Sequence, residues 1–315
     1  MYAFGESDMD FVVPLCNNNI IIRVTIESII INYNPKNIYI VTNKNDAELL
    51  EKECLLWNYY DTKLNFIDED NFFIRNYGLT KSDIHNWYTC KDEQSREFGW
   101  WYQQLLKLGA FNQIKNLSDP YVVWDSDLIV LQKWNLYDGK MNTYKFAILQ
   151  ESAKNDFNKN EYANSIHKLI GIEAIEPPIE GTFVPHHFVM HHKVLEYLIR
   201  HIENNNKFNF NWIKSIMLLS NTYYRFSEYK CLATFMNCYY PELLLFYPFH
   251  EYGKRGIRYR ESDEMIEKMM LYCKNKTDNL DDTALTYKLF QDFVRENYTE
   301  KPSYIQLEHV QPINL

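Results

Sequence analysis

Two aspartates separated by one residue carry the clearest chemical signal in this sequence. Asp125 and Asp127 follow the apolar run 121–124 (YVVW), which is typical of a strand covered on both faces of a sheet. Residues two apart in extended backbone project the same way, so both carboxylates can face one cation at the carboxyl end of that strand. Mg²⁺ and Mn²⁺ prefer oxygen ligands of this kind. The alternative is a strand-to-loop turn with solvated carboxylates.

A divalent cation at this position suits the departure of a nucleoside diphosphate. Such a leaving group needs its developing negative charge neutralised, and a divalent cation does this as a Lewis acid. The composition agrees with a small anionic ligand rather than a nucleic acid. The net charge is −9, and no extended basic patch is present, which argues against duplex DNA or RNA as a partner.

The elements that must position the aspartates are strands alternating with helices. Hydrophobic residues make up 46% of the 315, enough for a sizeable core. Residues 11–15, 20–31 and 37–42 have the pattern of strand, helix and strand, which predicts a parallel sheet. Further strands are predicted at 64–67, 121–124, 144–150 and 243–246. Further helices are predicted at 46–57, 99–116, 157–170, 194–203, 212–219, 228–235, about 265–275 and 282–297.

Three segments in this order resemble the GT-A glycosyltransferases. They are 99–108 (GWWYQQLLKL), 124–127 (WDSD) and 226–229 (FSEY). Together they are similar to a family of glycosyltransferase-like proteins of bacteria and large DNA viruses, with the chlorovirus GT-A domains of capsid glycan synthesis as a related comparison. The resemblance covers about residues 10–250. It implies an α/β, Rossmann-like GT-A fold with a mixed, mostly parallel central sheet flanked by helices. We therefore expect a catalytic domain at 1–260 and a helical C-terminal extension at 261–315.

The resemblance also implies an activity and a set of site residues. The expected reaction moves a sugar from a nucleoside-diphosphate sugar, UDP by default, to a glycan or other hydroxyl acceptor, with Mn²⁺ or Mg²⁺ as cofactor. Inversion is favoured, and a retaining mechanism stays open. The expected metal ligands are Asp125, Asp127 and His250. The expected donor-binding residues are Val13, Pro14, Thr42, Gln103, Gln104, Lys107, Trp124, Asp125, His187 and Lys254.

Glu228 is the expected general base. It lies among aromatic residues, where desolvation can raise the pKa of a carboxylate toward the working pH. An inverting transferase needs such a group to take the proton of the attacking hydroxyl. The alternative is a carboxylate that stabilises the amino-terminal end of a helix. Lys107 has two interpretations as well: a ligand for a phosphate or sugar hydroxyl, or a solvated surface lysine.

The histidines fall into two groups. His186, His187, His191 and His192 lack the glutamate of the H-E-x-x-H motif, and their segment begins as a strand, so a zinc site is not expected. The resemblance instead places His187 on a strand that lines the sugar and acceptor pocket. The segment 250–255 (HEYGKR) is similar to the His-x-x-Gly-x-x-Lys element of some retaining GT-A enzymes, although its spacing differs. The alternative for this segment is an exposed basic loop.

Two other function classes remain open from the sequence. A sugar nucleotidyltransferase would share the sheet and the metal carboxylates, but it usually has an early glycine-rich phosphate loop, and residues 16–19 (CNNN) contain no glycine. A non-catalytic scaffold that binds glycans or nucleotide sugars would retain the aspartates without turnover. Metal-dependent hydrolysis of a sugar nucleotide distinguishes the enzyme from the scaffold.

The expected location is the cytoplasm. The six cysteines are scattered without a C-x-x-C pair, which is typical of reduced thiols. No signal peptide and no membrane-spanning run is apparent. The C-terminal helices have charged faces and an apolar cluster, so they can form a homodimer interface, an acceptor-side lid or a contact with another enzyme.

Overall fold

The chain has a mixed α/β architecture with a mostly parallel central sheet flanked by helices, as predicted. The computed structural model describes residues 9–55, 57, 61–88, 97–149, 159–221, 225–252, 256–259, 262–276 and 285–308. The strands are β1 (Phe11–Pro14), β2 (Asn37–Thr42), β3 (Lys63–Asp68), β4 (Tyr121–Trp124), β5 (Leu128–Val130), β6 (Tyr137–Asp138), β7 (Thr143–Ile148), β8 (His187–Met190), β9 (Leu245–Pro248), β10 (Ile257–Tyr259) and β11 (Tyr304–Leu307). The central sheet has the order β3-β2-β1-β4-β8.

The helices supply the layers around the strands. They are α1 (Ile22–Tyr33), α2 (Lys44–Cys54), α3 (Ile74–Tyr77), α4 (Lys81–His85), α5 (Phe98–Gln113), α6 (Lys159–Ile170), α7 (His192–Asn205), α8 (Trp212–Met217), α9 (Glu228–Tyr239), α10 (Asp263–Lys276) and α11 (Tyr287–Asn297). In the part of the chain that the structure describes, no helix is both long enough and apolar enough to cross a membrane.

The first strand–helix–strand segment confirms the prediction of a parallel pair. β1 is buried along its whole length and pairs in parallel with β2, with Val13 opposite Ile40. Asn34 ends α1 in the left-handed conformation (φ 46°), and its N–H bonds to the carbonyl of Ile30. A short polar side chain tolerates this conformation, and Pro35 cannot continue the helix. The chain therefore turns back into β2 at once.

The chain divides into two compact units. Unit one comprises residues 1–66, 124–135 and 250–315, and unit two comprises 67–123 and 136–249. Unit one contains a small sheet in which β11 lies between β10 and β5. Unit two contains the sheet β6-β7-β9 and the helices α5, α7 and α9, with β7 parallel to β9.

The C-terminal segment is part of the core of unit one. Buried side chains of α10, α11 and β11 pack with residues of α1 and β5 in one apolar cluster, which includes Val24, Ile129, Met269, Phe290 and Ile305. The two C-terminal helices were predicted from their amphipathic pattern, and α10 and α11 confirm them. The strands β10 (IRY) and β11 (YIQL) were not predicted, because a polar residue interrupts each short apolar run.

Candidate functional site

The turn that follows β4 has its backbone fixed from three directions. The carbonyls of residues 125, 126 and 127 accept hydrogen bonds from the backbone N–H of Leu128 (3.1 Å), the hydroxyl of Thr25 (2.8 Å) and the backbone N–H of Leu307 (3.0 Å). Thr25 belongs to α1 and has no exposed surface. The path of the turn is thus held by groups from α1 and β11 and by the local bond from Leu128.

Trp124 supports this turn from inside the core. Its indole N–H donates to the carbonyl of Leu128 (2.8 Å), which closes the segment between them. The ring stacks on Trp134 with centroids 5.4 Å apart and meets the edge of Tyr33 at 5.8 Å. Trp124 has no exposed surface, so it stabilises the turn and presents no face to a ligand here. Its assignment to donor binding stays a prediction.

Asp125 and Asp127 are the carboxylates of this turn that can hold a metal ion. Both are partly exposed. Carboxylate oxygens suit a divalent cation, and two of them leave coordination positions for further oxygen ligands. This donor set fits the Mn²⁺ or Mg²⁺ that was predicted.

His187, which was predicted to line the pocket, is buried, and its Nδ1 lies 3.0 Å from the carbonyl of Pro185. The preceding residue, His186, has φ 63°, in the left-handed region, which turns its side chain away from the alternation of the strand. The assignment of His187 stays a prediction.

His250 and Lys254 were both predicted as site residues from the segment 250–255. His250 is exposed in the single-turn helix Phe249–Tyr252, and the described residues that gather as a metal group do not include it. Lys254 lies outside the described residues. Both assignments stay predictions.

Lys107 and Glu228 form a buried ion pair within unit two. Lys107 Nζ lies 2.8 Å from Glu228 Oε1, and the two side chains are 3% and 5% exposed. The ammonium group also lies 4.8 Å from the centre of the Tyr229 ring. The alternative that Lys107 is a solvated surface lysine is wrong. Removal of one charge from such a pair leaves the other buried and uncompensated, which is costly.

Gln104 completes the arrangement around Glu228. Its side-chain Oε1 accepts a hydrogen bond from the backbone N–H of Glu228 (3.0 Å), at the amino-terminal end of α9. Its amide nitrogen donates to the carbonyl of Trp100 (3.2 Å). The face of α5 that meets Glu228 thus carries Gln104 and Lys107, three residues apart. Gln103, which was also predicted to bind the donor, is half-buried.

The ends of β1 and β2 contain buried polar atoms without partners. Val13, Pro14 and Thr42, the residues predicted near the nucleotide base, are buried. Among the described residues, neither the Thr42 hydroxyl nor the side-chain amide of Asn18 has a hydrogen-bond partner. Asn18 was not predicted as a site residue. A buried polar group normally has a partner, so these atoms are suited to a polar ligand that supplies one.

Burial suppresses the protonation of His191 in unit two. Desolvation lowers the pKa of His191 to about 4, against a smaller opposing effect of Asp119. Its ring lies 5.5 Å from that of Tyr144. His191 is therefore neutral at physiological pH.

The chain belongs to a family whose function is unknown. Residues 12–258 match the model of the family of unknown function DUF6492, and the chain is a member of this family. No curated protein sequence matches it.

Solved structures of low similarity include two glycosyltransferases and a pyrophosphorylase. Mouse xyloside xylosyltransferase 1 is 14% identical with a TM-score of 0.42, and the match covers 76% of this chain and 85% of that chain. The nucleoside-diphosphate-sugar pyrophosphorylase from Vibrio cholerae RC9 is 10% identical with a TM-score of 0.39 over 75% and 91%. The PaToxG glycosyltransferase is 12% identical with a TM-score of 0.31 over 91% and 84%. Similarity at this level establishes no common activity.

Proposed function

We propose that this chain is a metal-dependent glycosyltransferase of the GT-A kind, which moves a sugar from a nucleoside diphosphate to a hydroxyl group of a glycan or another acceptor. The observation that carries the proposal is the turn at 125–127. There two carboxylates follow a buried strand of a mostly parallel sheet, at the edge where such folds bind ligands. The GT-A resemblance of the sequence supports a sugar nucleotide as donor, with UDP as the first candidate.

Asp125 and Asp127 are the proposed metal ligands. Their carboxylate oxygens suit either Mn²⁺ or Mg²⁺. The bound cation supplies charge neutralisation for the departing diphosphate. Asn18 joins Val13, Pro14 and Thr42 as a proposed contact of the nucleotide base, since its buried amide can donate to and accept from a base edge.

Glu228 is the proposed general base of an inverting transfer. Lys107 fixes its carboxylate and Gln104 fixes its backbone N–H, so the position of the carboxylate is set before any ligand binds. A base held in this way needs no reorganisation when the acceptor hydroxyl arrives. Both side chains of the Lys107–Glu228 pair are buried. The acceptor hydroxyl must therefore reach the pair itself to give up its proton.

A panel of UDP-, GDP- and dTDP-sugars, each with and without Mn²⁺, tests the donor site by thermal unfolding. A ligand that binds only the native state raises the melting temperature. We expect one nucleotide to raise it only with Mn²⁺, and Asp127→Ala to abolish the shift. Asp70→Ala is the matched control, because Asp70 ends another Asp-x-Asp sequence (68–70). No shift with any nucleotide would overturn the proposal.

Glu228→Gln tests the proposed base. The measurement is the release of nucleoside diphosphate as the sugar is transferred to the acceptor or to water. We expect the nucleotide-dependent thermal shift to persist and the rate to fall by about 10²- to 10⁴-fold, the usual contribution of a general base. A rate per folded molecule equal to that of the parent chain would make Glu228 a structural residue only.

Lys107→Met tests the ion pair separately. We expect it to lower the free energy of unfolding by about 3–5 kcal/mol, because it leaves Glu228 buried and charged. Lys115→Met, at an exposed lysine just after α5, is the control and should change stability by less than about 0.5 kcal/mol. Urea unfolding measures both, and equal effects of the two variants would contradict the buried pair.

A further inference from the structure

Gln306 connects the C-terminal strand to the candidate metal site. It lies on β11 and has no exposed surface. Its side-chain nitrogen lies 3.3 Å from Asp127 Oδ2 and 3.1 Å from Glu308 Oε1. Both neighbours are carboxylates, which only accept hydrogen bonds when ionised, so the NH₂ group of the amide must face them and the orientation of the amide is determined.

Glu308 is held in turn by a cation. Arg258 on β10 lies within 2.7 Å of Glu308 Oε1 through its Nε and also pairs through Nη2. The guanidinium compensates the charge of Glu308, and the Ser262 hydroxyl donates to the Glu308 carbonyl (2.6 Å). A fixed Glu308 gives the Gln306 amide a second anchor, so the amide keeps one direction toward Asp127.

The backbone of β11 sets the register of these contacts. β11 runs antiparallel to β5 with Gln306 opposite Leu128, the residue after Asp127. Leu307 N–H bonds to the Asp127 carbonyl. Side chains alternate along a strand, so Ile305 and Leu307 point into the apolar cluster while Gln306 points to the opposite face. Burial of Ile305 and Leu307 therefore holds Gln306 beside the carboxylate.

We propose that Gln306 is a positioning residue of the metal site, which orients the Asp127 carboxylate toward the cation, and that β11 is thereby a part of that site. This inference depends on the proposed metal site. A neutral amide suits the role because it fixes the carboxylate without adding a positive charge that would compete with the cation. Outer hydrogen-bond partners of this kind tune metal affinity by fixing the ligand. Gln306 and Glu308 lie beyond residue 258, where the match to the family model ends.

The test is Mn²⁺ affinity, measured by loss of the electron paramagnetic resonance signal of free Mn²⁺ on titration with the protein. Gln306→Met keeps the length of the side chain and removes its donors. We expect it to weaken Mn²⁺ binding by about 10- to 100-fold. Ile305→Val is the matched control on the same strand. It should lower stability by about 0.5–1.5 kcal/mol through a lost methylene and leave Mn²⁺ affinity unchanged.

A double variant separates positioning from general support of the fold. If Gln306 acts through Asp127, Gln306→Met should weaken Mn²⁺ binding no further once Asp127→Asn is present, because the two effects are coupled. If Gln306→Met does not fold, Gln306→Asn, which keeps the amide but shortens its reach, has the same expected direction. Equal Mn²⁺ affinity of the parent and the Gln306 variant overturns the inference. No Mn²⁺ binding by the parent overturns the proposed metal site itself.

Discussion

The strands β3 and β4 each lead into an Asp-x-Asp sequence, and the two sequences use their carboxylates differently. At 68–70, after β3, the Asp68 carboxylate accepts from the backbone N–H of Asp70 (3.0 Å) and from the side-chain amide of Asn71 (2.6 Å). The carboxylate therefore closes its own turn, as aspartate commonly does. At 125–127 the backbone carbonyls accept from groups of α1, β5 and β11, and the Asp127 carboxylate accepts from the side chain of Gln306 (3.3 Å).

Spacing alone therefore does not define a metal site. A carboxylate that accepts from its own turn is oriented toward the backbone and has less capacity left for a cation. At 125–127 the Thr25 hydroxyl and the Leu307 N–H, both distant in sequence, bond to backbone carbonyls of the turn. Glu69, between the first pair, is buried and paired with Lys81, whereas Ser126, between the second pair, contributes its carbonyl to Thr25.

The largest expected difference between the turns is in metal affinity. Asp125→Asn combined with Asp127→Asn should weaken Mn²⁺ binding by more than about 100-fold, above the range for outer partners. Asp68→Ala should leave Mn²⁺ binding unchanged and instead lower stability by about 0.5–1.5 kcal/mol, since two hydrogen bonds are lost. Titration with Mn²⁺ followed by electron paramagnetic resonance measures the affinity, and urea unfolding measures the stability. Mn²⁺ binding that depends on Asp68 would contradict this difference between the turns.

Removal of the hydrogen bond from α1 to the second turn should have an intermediate effect on stability. Thr25→Val is nearly isosteric and removes the hydroxyl donor to the Ser126 carbonyl, so we expect a loss of about 1–3 kcal/mol for a buried unsatisfied group. Thr42→Val is the matched control. Both threonines have no exposed surface, but within the described part of the chain the Thr42 hydroxyl has no partner. Its removal should be neutral or stabilising. Equal losses in the two variants would mean that the Thr25 bond does not hold the turn.

The smallest expected effect is the pH dependence of the first turn. Burial raises the pKa of Glu69 above its usual value of 4.5, against the lowering effect of Lys81. As pH rises from 4.5 to that raised pKa, the unfolded chain loses the proton of Glu69 before the folded chain does. The contribution of this group to stability is therefore present below pH 4.5 and is lost as pH rises through the folded pKa.

Glu69→Gln should remove this part of the pH dependence, seen as a flatter plot of the free energy of unfolding against pH just above 4.5. Glu251→Gln, at an exposed glutamate, is the control and should leave the plot unchanged. An identical slope in Glu69→Gln and the parent chain would show that Lys81 fully compensates the burial of Glu69.

Much of the fold could be predicted from the sequence. The periodicity of residues 11–42 gave the first strand–helix–strand segment, and the apolar run 121–124 gave the buried strand that carries the aspartates. Local patterns suffice where an element is long or where its apolar run is unbroken. The predictions were less successful for β10 and β11, because a polar residue interrupts each run and their strand character depends on pairing with other strands.

The sequence by itself determined that two aspartates follow a buried strand, and that Gln104, Lys107 and Glu228 lie in segments of mixed polar and aromatic character. Only the tertiary structure decided which of the polar side chains meet. Lys107 pairs with a glutamate 121 residues away. Gln306 reaches Asp127 across 179 residues. Sequence patterns report local preferences, whereas these contacts arise from packing between distant segments, which no local pattern encodes.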